Sequence, residues 1–91
     1  MKVYVGRFTY IYDNDTDIIV ATTVERVEQE LLKKAQDYLR WMGDDFEQGL
    51  IPNNFNEIRD IGWEYEWFDL QWVQTDVLSD GHILKYAMET I

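Results

Sequence analysis

Between Val24 and Met42 apolar side chains return every third or fourth position, and this stripe restricts the fold more than anything else in the 91-residue chain. Val24, Val27, Leu31, Leu32, Ala35, Tyr38, Leu39 and Met42 line one side, and Arg26, Gln29, Glu30, Lys33, Gln36, Asp37 and Arg40 take the other. At about 3.6 residues per turn this spacing gives an amphipathic helix with one face to bury. Thr22 is placed to cap its start, with Glu25 three residues on completing a capping box. Gly43 supplies a left-handed stop. The i,i+4 pairs Arg26–Glu30 and Glu30–Lys34 add a few tenths of a kcal/mol each. Glu28 falls inside the apolar stripe and is read as a rim residue that reaches water.

A single helix of this kind needs a sheet to lie on. Residues 2–12 are rich in Val, Tyr, Phe and Ile and read as a strand. Asp13-Asn14-Asp15-Thr16-Asp17 reads as a turn and residues 18–21 as the returning strand, which makes a first hairpin. Residues 44–62 have no clean period. They begin with the acidic loop Asp44-Asp45-Phe46-Glu47-Gln48-Gly49, turn at Pro52-Asn53-Asn54, and hold one short helical piece capped by Asn54 and closed by Gly62. Residues 63–73 read as a strand whose apolar phase reverses at Trp67-Phe68, which a bulge would repair. Asp80-Gly81, between Val77-Leu78-Ser79 and His82-Ile83-Leu84, signals a second tight hairpin, and residues 83–91 read as the last strand. The expected architecture is a single α+β domain, ββαββ-like, with two hairpins forming a small antiparallel sheet and one amphipathic helix on one face. One helix covers one sheet face only, so aromatics on the other face need a cover from residues 44–62, a two-fold dimer mate or a target.

Charge is distributed unevenly over this plan. Residues 1–43 hold seven acids and six bases, whereas residues 44–91 hold eleven acids against Arg59 and Lys85 alone. The formal net charge of −10 therefore sits almost wholly in the second half, which also carries Trp63, Trp67 and Trp72. Such a chain is repelled by phosphates and by anionic lipid, so direct binding to nucleic acid or membrane is not expected. Basic surfaces attract it. No apolar run approaches the roughly 18 residues of a membrane helix, the start does not read as a signal peptide, and the chain has no cysteine. These features lead us to expect a cytoplasmic protein without disulfides or thiolate chemistry.

Patterns that would carry catalysis are weak. His82 and Ser79 are the only histidine and serine, and nothing nearby supplies a third orienting group or an oxyanion loop. With eighteen acids, carboxylate pairs at hydrolase spacing arise by chance. Asp13-x-Asp15-x-Asp17 copies the first ligands of a calcium loop, but Ile18 stands where glycine is needed and Val24 where the bidentate glutamate belongs. Asn14-Asp15-Thr16 fits a glycosylation sequon, which has no meaning without secretion. The five glycines are isolated, so no phosphate-cradling loop is present. The expectation is a non-enzyme with no cofactor, no metal and no catalytic residue.

The acidic and aromatic surface remains. Trp63-Glu64-Tyr65-Glu66-Trp67-Phe68-Asp69 alternates the two classes, and on a strand Glu64 and Glu66 would lie about 6.6 Å apart on one face, close to the spacing of successive phosphates. Asp44, Asp45, Glu47, Glu57, Asp60, Asp69 and Asp76 would extend that row. Trp63, Trp67 and Phe46 are the candidate anchors, since buried aromatics dominate protein interfaces.

In length, acidity, lack of cysteine and hairpin-helix-hairpin plan, the chain resembles the small inhibitors that bacteriophages and mobile elements encode against host defences. Anti-CRISPR and anti-restriction proteins belong to that class, and several are DNA mimics. The resemblance implies an inhibitor of a basic, nucleic-acid-handling host protein, and it assigns no residue roles. A competing expectation is an assembly module that uses an exposed aromatic sheet face without mimicry.

Overall fold

The computed structural model describes residues 2–76. Strands β1 (Lys2–Tyr10) and β2 (Asp15–Ala21) lead into helix α1 (Val24–Met42). Two short 3-10 turns, Gly43–Asp45 and Gln48–Leu50, follow, then helix α2 (Phe55–Glu64) and strand β3 (Phe68–Asp76). The sheet is antiparallel in the order β2-β1-β3, with Val5 paired to Val20 on one side and Val73 on the other. The described residues are thus α+β, but with three strands and two helices, so the ββαββ plan is corrected. The hairpin at 77–84 and the final strand at 83–91 lie outside the described residues.

Helix α1 follows the stripe closely. Val27, Leu31, Ala35 and Leu39 are fully shielded and meet Phe8, Phe68 and Leu70 from the sheet and Ile58 from α2. The Phe8 and Phe68 rings stack at 5.3 Å with 21° between planes. Gly43 ends the helix at φ 59°, its N–H donating to the Arg40 carbonyl. The cap falls one residue later than expected. Thr23 Oγ1 accepts from the Arg26 N–H at 3.2 Å, so Glu25 is not the third helical residue and the capping box does not form. Glu28 is half-buried and accepts the Trp72 indole N–H at 2.9 Å, locking helix to strand at its rim.

The larger correction concerns residues 63–73. Asn54 caps α2 as expected, its Oδ1 accepting from the Asn56 and Glu57 N–H groups at 2.9 and 3.1 Å. The helix does not stop at Gly62, however, and runs to Glu64. Tyr65 N–H closes on the Ile61 carbonyl and Trp67 N–H on the Gly62 carbonyl, with Glu66 at φ 57° between them. The alternation across 63–67 belongs to a helix end and a turn. The phase reversal at Trp67-Phe68 marks the passage from turn to strand, and no bulge is involved.

Both helices lie on one sheet face. The other face carries Thr9, Thr16 and Asp69 at one end, Arg7, Ile18 and Gln71 in the middle, and Val3, Val5, Val20 and Val73 towards the other, by the alternation of the paired strands. Val3 and Val5 are buried, whereas Ile18, Val20 and Val73 are exposed.

Candidate functional site

Five acids of the second half, Asp44, Asp45, Glu47, Glu64 and Glu66, are gathered by an aromatic cluster. After Gly43 the chain makes a 3-10 turn through Asp44 and Asp45 and drops Phe46 into the core, where it is 8% exposed. Gln48 fastens this segment to the end of α1, its side-chain amide lying 2.8, 2.9 and 3.1 Å from the carbonyls of Leu39, Gly43 and Phe46. An NH₂ has two hydrogens, so two of the three acceptors are served at a time. From the other side the turn after α2 brings up Tyr65 and Trp67, whose rings stack at 4.5 Å. Phe46 meets them edge-on, at 6.0 Å from Tyr65 and 6.1 Å from Trp67. Asp44, Asp45 and Glu47 flank Phe46, and Glu64 and Glu66 flank Tyr65, so two acidic segments far apart in sequence meet around one aromatic cluster.

Glu57, Asp60 and Glu64 extend the patch along α2. Their spacing of three and four places them on one helix face, with an axial rise of roughly 10 Å from first to last at about 1.5 Å per residue. Asp44, Asp45, Glu47, Glu57, Asp60, Glu64 and Glu66 are all exposed. Among the described residues, none of the seven takes part in an ion pair. The pairs that do form are Arg7–Asp69, Arg26–Glu30, Lys34–Asp17 and Arg40–Asp37.

Several expected site residues are placed differently. Glu64 and Glu66 do not form a strand row, since one ends a helix and the other occupies a left-handed turn. Phe46 is a core residue, not an exposed anchor, because the Gly43 turn and Gln48 fold it under the acids on either side of it. Asp69 is not a free phosphate-like group. It accepts the Trp63 indole N–H at 2.6 Å and the Gln71 amide at 2.9 Å, and it lies 3.9 Å from Arg7. Asp76 stands apart at the end of β3, in register with Lys2. Trp63 is half exposed, with the Arg59 guanidinium 4.8 Å over its ring. Trp67 is half-buried, packed on Tyr65 and the core. Tyr65, exposed and central to the cluster, was missed by sequence reasoning. Its place within the run 63–67 was the available signal.

Two of the acids expected in the first turn are engaged in β2. Asp15 and Asp17 lie in β2, and Asp17 accepts from the Tyr10 hydroxyl at 2.9 Å and from Lys34 at 3.3 Å. No group of three or more His, Cys, Asp or Glu side chains suited to a metal ion occurs among the described residues. His82 and Ser79 lie outside them. No helix among the described residues is long and apolar enough to cross a membrane.

No protein-family model, curated protein or solved structure matches this chain. The reading of its surface therefore rests on geometry and charge.

Tyr10 offers a check on this packing. Burial pushes its phenol up to about 12, helped by the hydrogen bond to Asp17 and by the charges of Asp17 and Asp15. Its folded pKa thus lies above the unfolded value of about 10. The stabilisation is complete below pH ~10 and is lost as pH rises through the folded value. Urea midpoints measured between pH 9 and pH 12 should fall more steeply for the wild type than for Tyr10→Phe (about these limits, the range in which a free phenol titrates).

Proposed function

We propose that this chain is a small acidic inhibitor that binds a basic, nucleic-acid-handling protein and blocks its nucleic-acid site by charge mimicry. The observation that carries this reading is a set of seven exposed carboxylates with no ion pair among the described residues, five of them beside the Phe46–Tyr65–Trp67 cluster and two, Glu57 and Asp60, along α2. Fixed carboxylates compete for the Lys and Arg groups that otherwise grip phosphates, and complementarity of this kind gives fast, salt-sensitive association. The cluster holds two of its acidic segments in place through buried and stacked rings, which limits the entropy lost on binding. The class resemblance adds a setting: a product of a phage or mobile element, acting in the host cytoplasm on a defence complex such as a CRISPR or restriction effector.

The test is capture of partners from bacterial lysate by the tagged protein at low and high salt. Screening shortens from roughly 10 Å at 0.1 M to 3 Å at 1 M, so the partner should be retained at the first and lost at the second. It should also be basic and lose its nucleic-acid binding when the inhibitor is added. A captured partner that keeps that binding would contradict the proposal.

The assembly-module reading is favoured in a changed form. The strand aromatics Tyr4, Phe8, Tyr10, Phe68 and Trp72 lie on the helix side. The far sheet face therefore offers the aliphatic Ile18, Val20 and Val73, 39%, 42% and 45% exposed, in place of an aromatic surface. An assembly module docking through this face would bind with little dependence on salt, and Val20→Lys with Val73→Lys would abolish its binding.

A further inference from the structure

The end of the molecule formed by the β1–β2 turn and the last turns of α1 holds a cleft that the acidic patch does not account for. Tyr10, Asp13, Lys34, Asp37, Tyr38 and Trp41 line one lobe of about 420 Å³. A second lobe of about 390 Å³ shares Asp13, Tyr38 and Trp41 and adds Tyr12, Asp45 and Trp67, the last two belonging also to the acidic patch. Tyr38 is the hub, with ring centroids 6.0 Å from Tyr10, 5.9 Å from Trp41 and 6.4 Å from Trp67. Trp41 and Tyr12 are 77% and 75% exposed, unusually open for such large rings.

We propose that this cleft is a socket for an arginine side chain of the basic partner. Aromatic faces attract cations through their quadrupole, and tryptophan does so best. The carboxylates at the rim reinforce the attraction. Lys34 is drawn to Asp17 and Arg40 to Asp37, at 3.3 and 2.6 Å, while Asp13 and Asp45 take part in no ion pair among the described residues. The C-terminal end of α1 adds a partial negative charge at the same place. Burial, with the charge of Asp13 beside it, holds the Tyr38 phenol above its ordinary pKa. Guanidinium fits this lining better than ammonium. It is planar, stacks on rings, is weakly hydrated and presents a fork of donors to carboxylates. The identity of the occupant as part of a basic protein rests on the function proposed above, whereas the chemistry of the socket does not.

The experiment is a ¹H–¹⁵N NMR titration of the whole protein with three capped tripeptides, acetyl-Gly-X-Gly-amide, in which X is arginine, lysine or the neutral isostere citrulline. The arginine peptide should move the Trp41 indole resonance saturably. The lysine peptide should bind several-fold more weakly, and the citrulline peptide should cause no shift there. Trp41→Ala, an exposed site whose loss spares the core, should weaken arginine binding about tenfold, the scale of one cation–π contact with its neighbouring charge. Asp13→Asn with Asp45→Asn should do the same, and Glu25→Lys, in the first turn of α1 at the opposite end from the cleft, should leave it unchanged. Equal shifts from arginine and lysine, spread over Glu57, Asp60 and Glu64 with Trp41 silent, would overturn the socket. That result leaves mimicry standing if a salt-sensitive partner is still captured. Saturable binding in the cleft by a protein that never displaces nucleic acid would instead uphold the socket and refute the mimicry.

Discussion

Gly62→Ala should destabilise this domain severely, by about 2–3 kcal/mol, within the range for overpacked cores. A Cβ at position 62 would sit 2.5 Å from Phe68 Cδ1, Cε1 and the Phe68 carbonyl oxygen. The Phe68 ring cannot swing away, because it is fully buried and stacked on Phe8. The carbonyl belongs to β3 and cannot move without the strand. Alanine would gain about 1 kcal/mol in helix propensity over glycine, which is smaller than the cost of forcing helix and strand apart. A domain of this size has only about 5–15 kcal/mol in hand, so the urea midpoint should fall markedly. Gly49→Ala is the control. Nothing lies within 4 Å of its would-be Cβ, and the change should stay within about 0.5 kcal/mol. Equal stability of the two variants would mean that α2 and β3 do not approach as described.

The same contact sets the functional surface. Because Gly62 admits Phe68, the chain can reverse within Tyr65, Glu66 and Trp67, and Trp67 N–H reaches the Gly62 carbonyl at 3.0 Å. That reversal carries Tyr65 and Trp67 to Phe46 and so brings Glu64 and Glu66 beside Asp44 and Asp45.

The second large effect is on binding. Replacing Asp44, Asp45, Glu64 and Glu66 together by lysine adds two charges per site and takes the formal net charge from −10 to −2. All four side chains are exposed, and none is in an ion pair among the described residues, so the fold should persist. Charge pairs across an interface contribute about 1.5–7 kcal/mol in the strongest cases. Even the low end, summed over part of this set, corresponds to a loss of at least about a hundredfold in affinity. Reversal of Glu25 and Glu30, near the start of α1 and away from both the patch and the cleft, should cost several-fold at most, with the loss of the Arg26–Glu30 pair removing a few tenths of a kcal/mol from the helix. Circular dichroism and affinity measured together separate folding from recognition. Equal loss from both sets would show that total charge, not this patch, is recognised.

How much of this was legible in the sequence depends on which signal each segment carries. Helix α1 was readable because its stripe is long and Gly43 stops it, and only the cap slipped by one residue, since Thr22 and Thr23 are chemically interchangeable there. The first hairpin was readable from β-branched and aromatic residues on either side of an acidic turn, though the turn is shorter than expected because Asp15, Thr16 and Asp17 join β2. Asn54 declared its helix. The segment 63–67 was misread because aromatic and acid at every second position look like a strand locally. What decides its conformation is the approach of Phe68 to a glycine six residues earlier, a tertiary contact with no local signature. The acids were found, but their arrangement was not, since Phe46, Gln48 and Tyr65 bring the segments together only in three dimensions. Phe46 was misassigned for the same reason: its neighbours are exposed acids, and nothing in the sequence says that the chain folds it inward. Trp41 stands outside the apolar stripe, beside the Met42 that ends it, and gave no hint of the aromatic hub around Tyr38.

The central claim is that this surface takes the place of nucleic acid on a basic protein. The most direct measurement is competition: the captured partner, loaded with fluorescently labelled nucleic acid, is titrated with the wild-type chain and with the Asp44/Asp45/Glu64/Glu66 lysine variant while anisotropy is followed. Mimicry predicts complete displacement by the wild type, weakened by added salt, and none by the variant. A stable ternary complex, with partner, nucleic acid and this chain bound at once, would contradict it.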